Sequence, residues 1–405
     1  MMLKVLDKSE RGKETLAVAK AENWSLPLAS YLTMITTTKS LNRLAEAWVD
    51  LETRCHVSPT VFQSFDWVKS WNEVYGKPDS ARELHVVAGF TENKLVFLLP
   101  LMRQRRFGLT TLTWLTEPIG QYGDALVDKD HNADLWFGEA IQYLKHHRAA
   151  DIIHLRHVRD ASNFAPHAKV HWSDGKLNER AAAMDLTQFK TEADYDARYD
   201  ARQRKRRRRA RQSLEALGPM TFEQVTDIAA IDEGLTETIA QKLIWLRERG
   251  RFNTIMACPS HLEMLKHLAR LKDGSVVLTL TIVKIAGRPI SWEGCFAYRG
   301  VQYCYMTAHD STLIDLSPGR LHFDLAQRHW LEKGQASYDL MVPYDPYKES
   351  WSSAFEPVND YYLPLSWKGQ LYGHLYLGLL RPRARKIYQK LPMSVLRALK
   401  RLLRQ

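Results

Sequence analysis

Several features that define other protein classes are scarce or missing in this chain of 405 residues. The cysteines follow none of the spacings that metal sites use, so we expect no metal ion. We interpret them as small hydrophobic residues, although two of them can sit on neighbouring strands. Nothing in this usage indicates an oxidising compartment. The four cysteines are Cys55, Cys258, Cys295 and Cys304.

Long apolar runs are also missing. No stretch reaches the ~18–20 apolar residues that a membrane-spanning helix requires. The chain starts MMLKVLDKSERGKE, which lacks the apolar core of a secretory signal. We therefore expect a cytoplasmic protein, with at most peripheral contact at the inner face of the membrane.

Familiar catalytic and nucleic-acid-binding motifs are absent as well. The chain contains no HExxH, GxSxG, Walker or GxGxxG sequence, which excludes the common metalloprotease, serine hydrolase and nucleotide hydrolase classes. It also lacks helix-turn-helix, zinc-finger and RNP patterns, so DNA is not an expected partner.

What the chain has in excess is positive charge. Lysine and arginine number 57 against 46 aspartates and glutamates, which gives a net charge of +11. Such a balance favours an anionic partner: nucleic acid, an anionic membrane, an acidic glycan or a phosphate-rich cofactor. The remaining composition, 45% hydrophobic and 25% charged, is that of a globular protein of about two domains.

The positive charge is densest in the run Arg202–Arg211, which reads RQRKRRRRAR. Arginine has a high helix propensity, so we predict a helix that ends at Gly218. A run this dense favours contact with a polyanion. The candidates are the phosphates of coenzyme A or of an acyl carrier protein, RNA, and an acidic sugar polymer. A solvated surface helix is the alternative.

The order of the predicted elements suggests a duplicated fold. Two helices, a group of strands, a helix and a strand follow one another in the first half, and the same order returns in the second. This order indicates an α/β (α+β) protein with mixed sheets. We divide the chain into a polar leader (1–37), an N-terminal domain (38–190), a C-terminal domain (191–370) and a basic amphipathic tail (371–405).

The tail mixes apolar and basic side chains. From Ser394 onward, leucine and valine fall on one helical face and most of the bases fall elsewhere. A helix of this kind over residues 382–405 can lie on an anionic bilayer, or it can pack back onto the protein. The sequence leaves both alternatives open.

The stretch Tyr303–Trp351 shows the most informative local pattern. It predicts a strand, a polar connector ending in SPGR, a helix that stops at Gly334, and a second short strand. Proline fits the first turn of a helix, glycine permits close approach, and the first amides are unpaired at the positive end of the helix dipole. We therefore predict an anion site at Ser317, Gly319 and Arg320; an ordinary capped helix is the alternative.

These residues resemble a known family. The SPG run, the helix after it, Gly334, Asp339 and the YK-x-x-W run (347–351) are similar to GNAT-type acyltransferases of the CelD type from cellulose biosynthesis, which are related to the Fem aminoacyltransferases. The resemblance spans about residues 40–365. The chain departs from the family pattern after Asp339. The family usually has a glycine soon after this aspartate, whereas this chain has Leu340 and Met341. The other matching segments are FQSFDWVKSW (62–71), LLPL (98–101), QYGD (121–124), the arginine-rich helix and QKLIWLRERG (241–250).

The resemblance implies two tandem GNAT-like domains, with mixed, mostly antiparallel sheets flanked by helices. It also implies acyl transfer, which needs a cradle for phosphates, a group that polarises the carbonyl, and a base for the acceptor. The cradle is the predicted anion site, to which Arg320 adds charge. Tyr347 and Lys348 are predicted to hold phosphate or to protonate the leaving group.

The base has three candidates. Glu293 lies in the middle of a predicted strand, where a GNAT-type general base often sits, and we place it first. Asp124, flanked by glycine in a short loop, and Asp339 are the alternatives. Each of these acids can instead be structural, and an Asx turn is the ordinary role for an aspartate such as Asp124.

We therefore expect an acyltransferase that takes its acyl group from acyl-CoA, acetyl-CoA included, or from an acyl carrier protein. The acceptor implied by the resemblance is an amine or hydroxyl on a cell-envelope polysaccharide or a lipid-linked precursor. Two alternatives stay open. One is a Fem-like enzyme whose donor is aminoacyl-tRNA, bound through Arg202–Arg211; the other is a non-enzymatic scaffold that docks on an anionic membrane through residues 382–405.

Overall fold

The structure is a computed structural model that describes residues 29–76, 81–176, 179–271 and 274–390. The predicted helix from Ser394 lies outside these residues, as does most of the predicted polar leader. None of the helices in the described ranges is long and apolar enough to span a bilayer.

The strands form one large and one small sheet. In chain order they are β1 (Ser30–Ile35), β2 (Arg82–Leu84), β3 (Val86–Thr91), β4 (Lys94–Leu99), β5 (Leu101–Arg106), β6 (Leu109–Trp114), β7 (Leu126–Val127), β8 (Ile152–Arg159), β9 (Ser173–Asp174), β10 (Glu179–Asp185), β11 (Met220–Val225), β12 (Val277–Ile285), β13 (Arg288–Tyr298), β14 (Val301–His309), β15 (Ser337–Asp339) and β16 (Ala354–Pro364).

The helices pack around these sheets. In chain order they are α1 (Thr38–Arg43), α2 (Ala45–Arg54), α3 (Phe65–Tyr75), α4 (Ala133–His146), α5 (Ala165–His171), α6 (Glu192–Ala197), α7 (Ala201–Glu215), α8 (Ile228–Glu248), α9 (Pro259–Ala269), α10 (Pro318–Glu332), α11 (Trp367–Leu371) and α12 (Arg381–Lys390). A π-helical stretch, Tyr372–Leu380, joins α11 to α12, and short 3₁₀ turns cover Val61–Gln63, Ser311–Leu316 and Pro346–Trp351.

Local sequence explains where these elements begin and turn. The Ser64 hydroxyl accepts a 3.3 Å hydrogen bond from the Trp67 N–H and so caps the start of α3. Asp200 and Gln203 form a reciprocal capping box that starts the arginine-rich helix α7. The hairpin between β13 and β14 turns at Arg299-Gly300, where both residues have positive φ, as a tight two-residue turn requires.

The two halves of the chain repeat one plan. The first half runs β1, helices α1–α3, strands β2 to β6, helix α4 and strand β8; the second runs β11, helices α8–α9, strands β12 to β14, helix α10 and strand β15. In each half the strand before the last helix pairs in parallel with the strand after it: β6 with β8, and β14 with β15. The predicted duplication is therefore confirmed.

One sheet of 12 strands runs through both halves of the described chain, in the order β11-β12-β13-β14-β15-β10-β16-β8-β6-β5-β2, with β9 beside β16. The halves meet by exchanging strands. Strand β10, which follows the first half, pairs with β15 of the second, and β16, which follows the second half, pairs with β8 of the first. The smaller sheet has the order β1-β3-β4-β7.

The core also crosses between the halves. Trp67 on α3 is fully buried and meets the Phe296 ring of β13 edge-on, with the ring centroids 4.9 Å apart. It also contacts Tyr305 on β14, at 5.8 Å between centroids. Edge-to-face pairs of this kind add to the stabilisation that burial gives, so the helices of the first half are fixed on the sheet of the second.

One part of the predicted domain division is wrong. Residues Ser30–Ile35, which we placed in the polar leader, form strand β1 and pair antiparallel with β3 over all six positions. The segment SYLTMI is a half-buried strand at the edge of its sheet, and its weak periodicity made it look polar. The other domain limits stay predictions.

Candidate functional site

A cavity of about 250 Å³ opens at the N-terminal end of α10. Its walls come from helix α8, strands β13 and β14, the start of α10, and Tyr347. The predicted anion-binding residues Ser317, Gly319 and Arg320 line this cavity, and so does the candidate base Glu293. The structure therefore brings together five of the eight residues singled out from the sequence.

The start of α10 has an unusual backbone. Ser317 adopts the left-handed conformation, with φ of 56° and ψ of 51°, directly before Pro318. The N–H of Arg320 bonds the Ser317 carbonyl at 3.0 Å, whereas the N–H of Gly319 makes no hydrogen bond to another described residue. A strained residue beside an unpaired amide at a helix N-terminus is a feature of anion sites.

Space at Gly319 is limited. A Cβ atom placed there would lie 3.4 Å from Nδ1 of His309, which also lines the cavity. A larger side chain would therefore enter the cavity or displace His309. The glycine keeps the backbone of the first turn accessible from the cavity.

Glu293 lies in the middle of β13, opposite Thr307 of β14, and is 1% exposed. Its Oε1 accepts a 3.3 Å hydrogen bond from the Cys295 thiol, and its Oε2 has no partner within hydrogen-bonding geometry among the described residues. Burial raises the pKa of Glu293 to about 7, although Tyr338 and the nearby thiols partly stabilise the charged form. A carboxyl group with this pKa can accept a proton near neutral pH.

Several cavity residues were not among the predicted site residues, and three of them, Lys242, Trp245 and His309, could take part in binding or proton transfer. Lys242 and Trp245 extend from α8, and the Lys242 ammonium lies 4.8 Å from the centre of the Trp245 ring. Burial lowers the pKa of Lys242 to about 8. Burial also lowers the pKa of His309. The sequence offered QKLIWLRERG as a matching segment, but only the fold turns its lysine and tryptophan toward Glu293.

Tyr347 closes another side of the cavity. Its ring stacks on Phe323 of α10, with the centroids 6.0 Å apart and the planes 18° from parallel. Burial, with a further contribution from the charge of Glu293, raises the pKa of the Tyr347 phenol. The phenol therefore keeps its proton at neutral pH and can act as a proton donor.

A second, larger groove of about 600 Å³ adjoins the cavity and shares Ser317 and Arg320 with it. One wall is the arginine-rich helix α7. Arg206, Arg208 and Arg209 line the groove, are exposed, and form no ion pair with another described residue. The groove thus places unpaired positive charge beside the start of α10, which suits a phosphate-bearing molecule, although four acids also line it: Glu192, Asp196, Asp315 and Asp324.

Not every arginine of this helix is free. Arg207 donates a 2.7 Å hydrogen bond to Asp324 of α10 and lies over the rings of Tyr199 and Trp351, at 3.6 and 4.0 Å from their centroids. This residue fixes α7 against α10. The run therefore combines a structural arginine with arginines that remain available to a ligand.

The structure corrects the prediction for Lys348. Its side chain is buried, and Nζ donates to the carbonyls of Leu340, Met341 and Pro343 at 2.8–2.9 Å. It does not line the cavity. Met341 has φ of 55°, the conformation for which glycine is the usual residue, and Lys348 holds this turn in place.

Asp339 also lies away from the cavity. Its Oδ1 accepts hydrogen bonds from the Tyr122 hydroxyl at 2.9 Å and from the Met341 N–H at 2.7 Å. Burial raises the pKa of this carboxyl group, against the opposing charge of Arg159. The QYGD segment of the first half and strand β15 of the second half thus meet at a buried hydrogen bond between Tyr122 and Asp339.

The contacts of Asp124 fit the structural role that the sequence analysis gave as the alternative to a catalytic one. Its two carboxylate oxygens accept hydrogen bonds from the N–H groups of Ala125, Asn163 and Phe164 and from the Asn163 side chain, at 2.8–3.2 Å. Burial raises its pKa to about 6. All of these donors belong to the first half, so Asp124 orders the loop before α5 and does not reach the cavity.

Potential metal ligands come together at two places in the described chain, although the sequence spacing predicts no metal site. Cys295 and Cys304 are register partners on β13 and β14, and their sulfur atoms and a Glu293 oxygen lie within 4.8 Å of one another. A second group joins Asp134 of α4 with two histidines of α5. Strand pairing and helix packing, rather than sequence spacing, create both groups.

Comparison with known proteins assigns the fold. Residues 201–349 match the family model for the acetyltransferase (GNAT) domain, and these residues contain the cavity and most of the arginine groove. No curated protein matches the chain significantly in sequence.

Three solved structures are similar over most of the chain. The crystal structure of FemX is 12% identical, covers 86% of this chain and 100% of its own, and has a TM-score of 0.59. A conserved protein of unknown function from Bacteroides thetaiotaomicron is 9% identical, covers 82% and 99%, and has a TM-score of 0.51. A tandem GNAT protein from the clavulanic acid biosynthesis pathway is 13% identical, covers 83% and 99%, and has a TM-score of 0.45.

The chain therefore has a GNAT-type fold, and the match to the acetyltransferase (GNAT) domain model lies in its second half. At these identities the structural likenesses establish the fold alone. The family model confirms the GNAT-type resemblance over residues 201–349, and the described elements confirm the mixed α/β class. The narrower resemblance to the CelD type has no counterpart in them and stays a prediction.

Proposed function

We propose that this protein is an acyltransferase that moves an acyl group from acyl-CoA, or from a related thioester such as an acyl carrier protein, to an amine or hydroxyl. The observation that supports this most is the single cavity that joins the first turn of α10 to the buried carboxyl group of Glu293. The proposed phosphate cradle and the proposed base thus line the same cavity.

The donor would lie along the start of α10. The free N–H of Gly319 and the side chains of Ser317 and Arg320 would hold the pyrophosphate, and the arginines of the adjoining groove would neutralise a further phosphate. The thioester would then enter the cavity toward Glu293. The residues present fit a donor of this kind because unpaired positive groups line its phosphate end and mostly apolar ones its acyl end.

The reaction itself needs two proton transfers. Glu293 would take a proton from the acceptor amine or hydroxyl as that group attacks the thioester carbonyl, and its pKa of about 7 suits this task. The tetrahedral intermediate then expels the thiolate, which takes a proton from the Tyr347 phenol. Tyr347 holds a proton at neutral pH, although burial, which raises its pKa, makes that proton harder to release to the thiolate.

Isothermal titration with acetyl-CoA, longer acyl-CoAs and acyl carrier protein tests the donor. Arg320→Glu should weaken binding at least about tenfold, because it places a negative charge beside the phosphates. Arg43→Glu is the matched control, because Arg43 is exposed on α1 and far from Arg320 in sequence. This variant should bind the donor as the wild type does. Absence of binding by every one of these donors contradicts the proposal.

A separate variant tests the base. Glu293→Gln keeps the shape of the side chain but cannot accept the proton, so it should bind the donor normally and lose about 10²–10⁴-fold in turnover. Normal turnover by this variant would assign the base elsewhere; the neighbouring candidates that also line the cavity are Lys242, His309 and His322.

The arginine groove favours a second candidate, a Fem-like aminoacyltransferase that uses aminoacyl-tRNA. Three unpaired arginines are more than one coenzyme phosphate requires, and RNA would engage them all. RNA that copurifies with the protein and is released by high salt would support this donor. Tight binding of acyl-CoA by RNA-free protein would support the first candidate instead.

The acceptor rests on the resemblance. We propose an amine or hydroxyl of a cell-envelope polysaccharide or lipid-linked precursor, reached at the cytoplasmic side. A non-catalytic scaffold is the remaining alternative: it predicts that Glu293→Gln leaves the cellular role intact, whereas deletion of residues 382–405 removes it.

A further inference from the structure

The helix that begins at Trp367 is inverted relative to an ordinary surface helix. Its small residues face the protein: a Cβ atom on Gly369 would lie 1.8 Å from the Asp151 carbonyl oxygen, and one on Gly373 would lie 2.8 Å from the Tyr362 ring. Most of its large apolar residues face outward, whereas Leu377 is buried. Trp367 is 71% exposed and Leu371 is 55% exposed, and Leu375, Tyr376, Leu379 and Leu380 are exposed as well.

A second apolar side chain projects near the start of this helix. Phe107 is 94% exposed at the turn between β5 and β6, where its φ is 51° and Gly108 follows it. An aromatic ring that is almost fully exposed on a tight turn gains nothing from the fold. Burial of this ring in an apolar environment would be favourable.

Asp151 holds the turn and the helix together. Its Oδ2 accepts a 2.9 Å hydrogen bond from the N–H of Thr110, three residues after Phe107. Its Oδ1 accepts a 2.6 Å hydrogen bond from the hydroxyl of Ser366, the residue before Trp367. Leu109 and Tyr372 also pack on one small cluster around Ile152. The turn and the outward face of the helix therefore form one surface.

The charge of this surface has one sign. Residues 101–115 and 366–390 contain no aspartate or glutamate. Arg105, Arg106, Lys368 and Arg383 are exposed, and none of them forms an ion pair with another described residue. Lys368 and Arg105 both help to lower the pKa of Asp151, although burial opposes this shift.

We propose that this surface, formed by residues 105–108 and the outward face of 367–383, docks on an anionic lipid bilayer. Tryptophan, tyrosine and phenylalanine favour the interface between water and acyl chains, and flanking arginine and lysine bind anionic headgroups. A protein partner would be expected to bring carboxylates for these bases, and it is the competing occupant. The proposal does not depend on the acyl transfer proposed above, since neither segment lines the cavity.

Vesicle cosedimentation of the full chain tests it. One set of vesicles contains phosphatidylcholine alone, and the other contains equal parts of phosphatidylcholine and phosphatidylglycerol. The wild type should bind the anionic vesicles, and the double variant Phe107→Glu with Trp367→Glu should bind them at least about tenfold more weakly. Both side chains are so exposed that the variant should keep the circular dichroism spectrum and melting temperature of the wild type.

Two controls separate this surface from other sources of binding. Val170→Glu changes an apolar residue of α5 that is 75% exposed and far from the surface in sequence, and it should bind as the wild type does. Arg208→Glu removes charge from α7 and should have a small effect. Wild-type binding by the double variant would overturn the proposal and assign the lipid contact to α7 or to residues 391–405.

A protein partner gives a different result. The competing result has three parts: the wild type is a dimer in analytical ultracentrifugation, the double variant is a monomer, and neither protein binds vesicles. In that case the surface is an interface between two copies of the chain, and the proposal is wrong. Binding of phosphatidylcholine vesicles as tightly as anionic ones would also contradict it, because the exposed bases would then contribute nothing.

Discussion

The hydroxyl of Tyr122 donates a 2.9 Å hydrogen bond to Oδ1 of Asp339, across 217 positions of the chain. The two residues come from different halves, and both are buried. Tyr122 belongs to the QYGD segment and Asp339 ends strand β15, which pairs with the exchanged strand β10. This contact therefore tests how tightly the two halves are coupled.

Tyr122→Phe should lower the free energy of unfolding by about 1–2 kcal/mol, because it leaves a buried carboxylate oxygen with one donor fewer. Urea denaturation measures the change. Tyr31→Phe is the control: Tyr31 is 46% exposed on β1, and its variant should unfold as the wild type does. Equal midpoints for Tyr122→Phe and the wild type would show that the contact adds nothing to the coupling.

Glu293→Gln should stabilise the fold more as the pH rises. The pKa of Glu293 is raised from an ordinary 4.5 to about 7, so the folded state holds its proton longer than the unfolded state. The wild type therefore loses stability as the pH rises from about 4.5 to 7, by up to about 3 kcal/mol, and the glutamine variant does not. Glu332→Gln, on the exposed end of α10, should show no such difference. Denaturation at pH 5 and pH 8 decides the outcome.

The arginine run should divide into two kinds of residue. Arg207→Ala removes the ion pair with Asp324 and the contacts with two rings, and should cost about 1–3 kcal/mol of stability. Arg208→Ala with Arg209→Ala should leave stability unchanged, because both side chains are exposed and unpaired among the described residues. The same double variant should bind the anionic donor more weakly than the wild type does. Its donor affinity should also depend less on the salt concentration.

Melting curves and donor titrations at two salt concentrations measure both effects. A donor affinity that the double variant leaves unchanged would mean that the groove does not contact the donor. A stable Arg207→Ala would mean that α7 is held on α10 by other contacts.

Lys348→Met should destabilise the protein by about 2–4 kcal/mol without a specific effect on donor affinity. The ammonium group satisfies three backbone carbonyls of a buried turn, and methionine cannot replace those hydrogen bonds. Lys333→Met, on the exposed end of α10, is the control. A folded Lys348→Met protein that no longer binds acyl-CoA would restore the role in phosphate binding that the sequence predicted.

The fold was largely predictable because it depends on local signals. Strand alternation, turns at Ala286-Gly287 and Arg299-Gly300, and helix starts at proline or at capping residues appear directly in the sequence. The exchange of β10 and β16 between the halves could not be predicted, because pairing between distant strands has no local sequence signature. The strand Ser30–Ile35 was missed because the polar, weakly periodic residues before it dominate the composition of residues 1–37.

The candidate site was predictable where one short segment contains it. The SPGR run carries its own backbone geometry, so the start of α10 could be identified from residue types alone. The acids could not be ranked in this way. Glu293, Asp124 and Asp339 are all buried, and burial raises the pKa of each. Only the tertiary contacts show that hydrogen-bond donors of the protein already engage the carboxylate oxygens of Asp124 and Asp339. Lys348 was misplaced for the same reason.

The strand exchange has a consequence for how the protein is made. Strand β8 of the first half pairs on one side with β16, whose residues Ala354–Pro364 are synthesised long after those of β8. While the ribosome is still translating the second half, the nascent first half carries an open edge at β8. The large sheet can therefore close only after β16 has emerged, and translation that stops before β16 would yield a product with that edge exposed to aggregation.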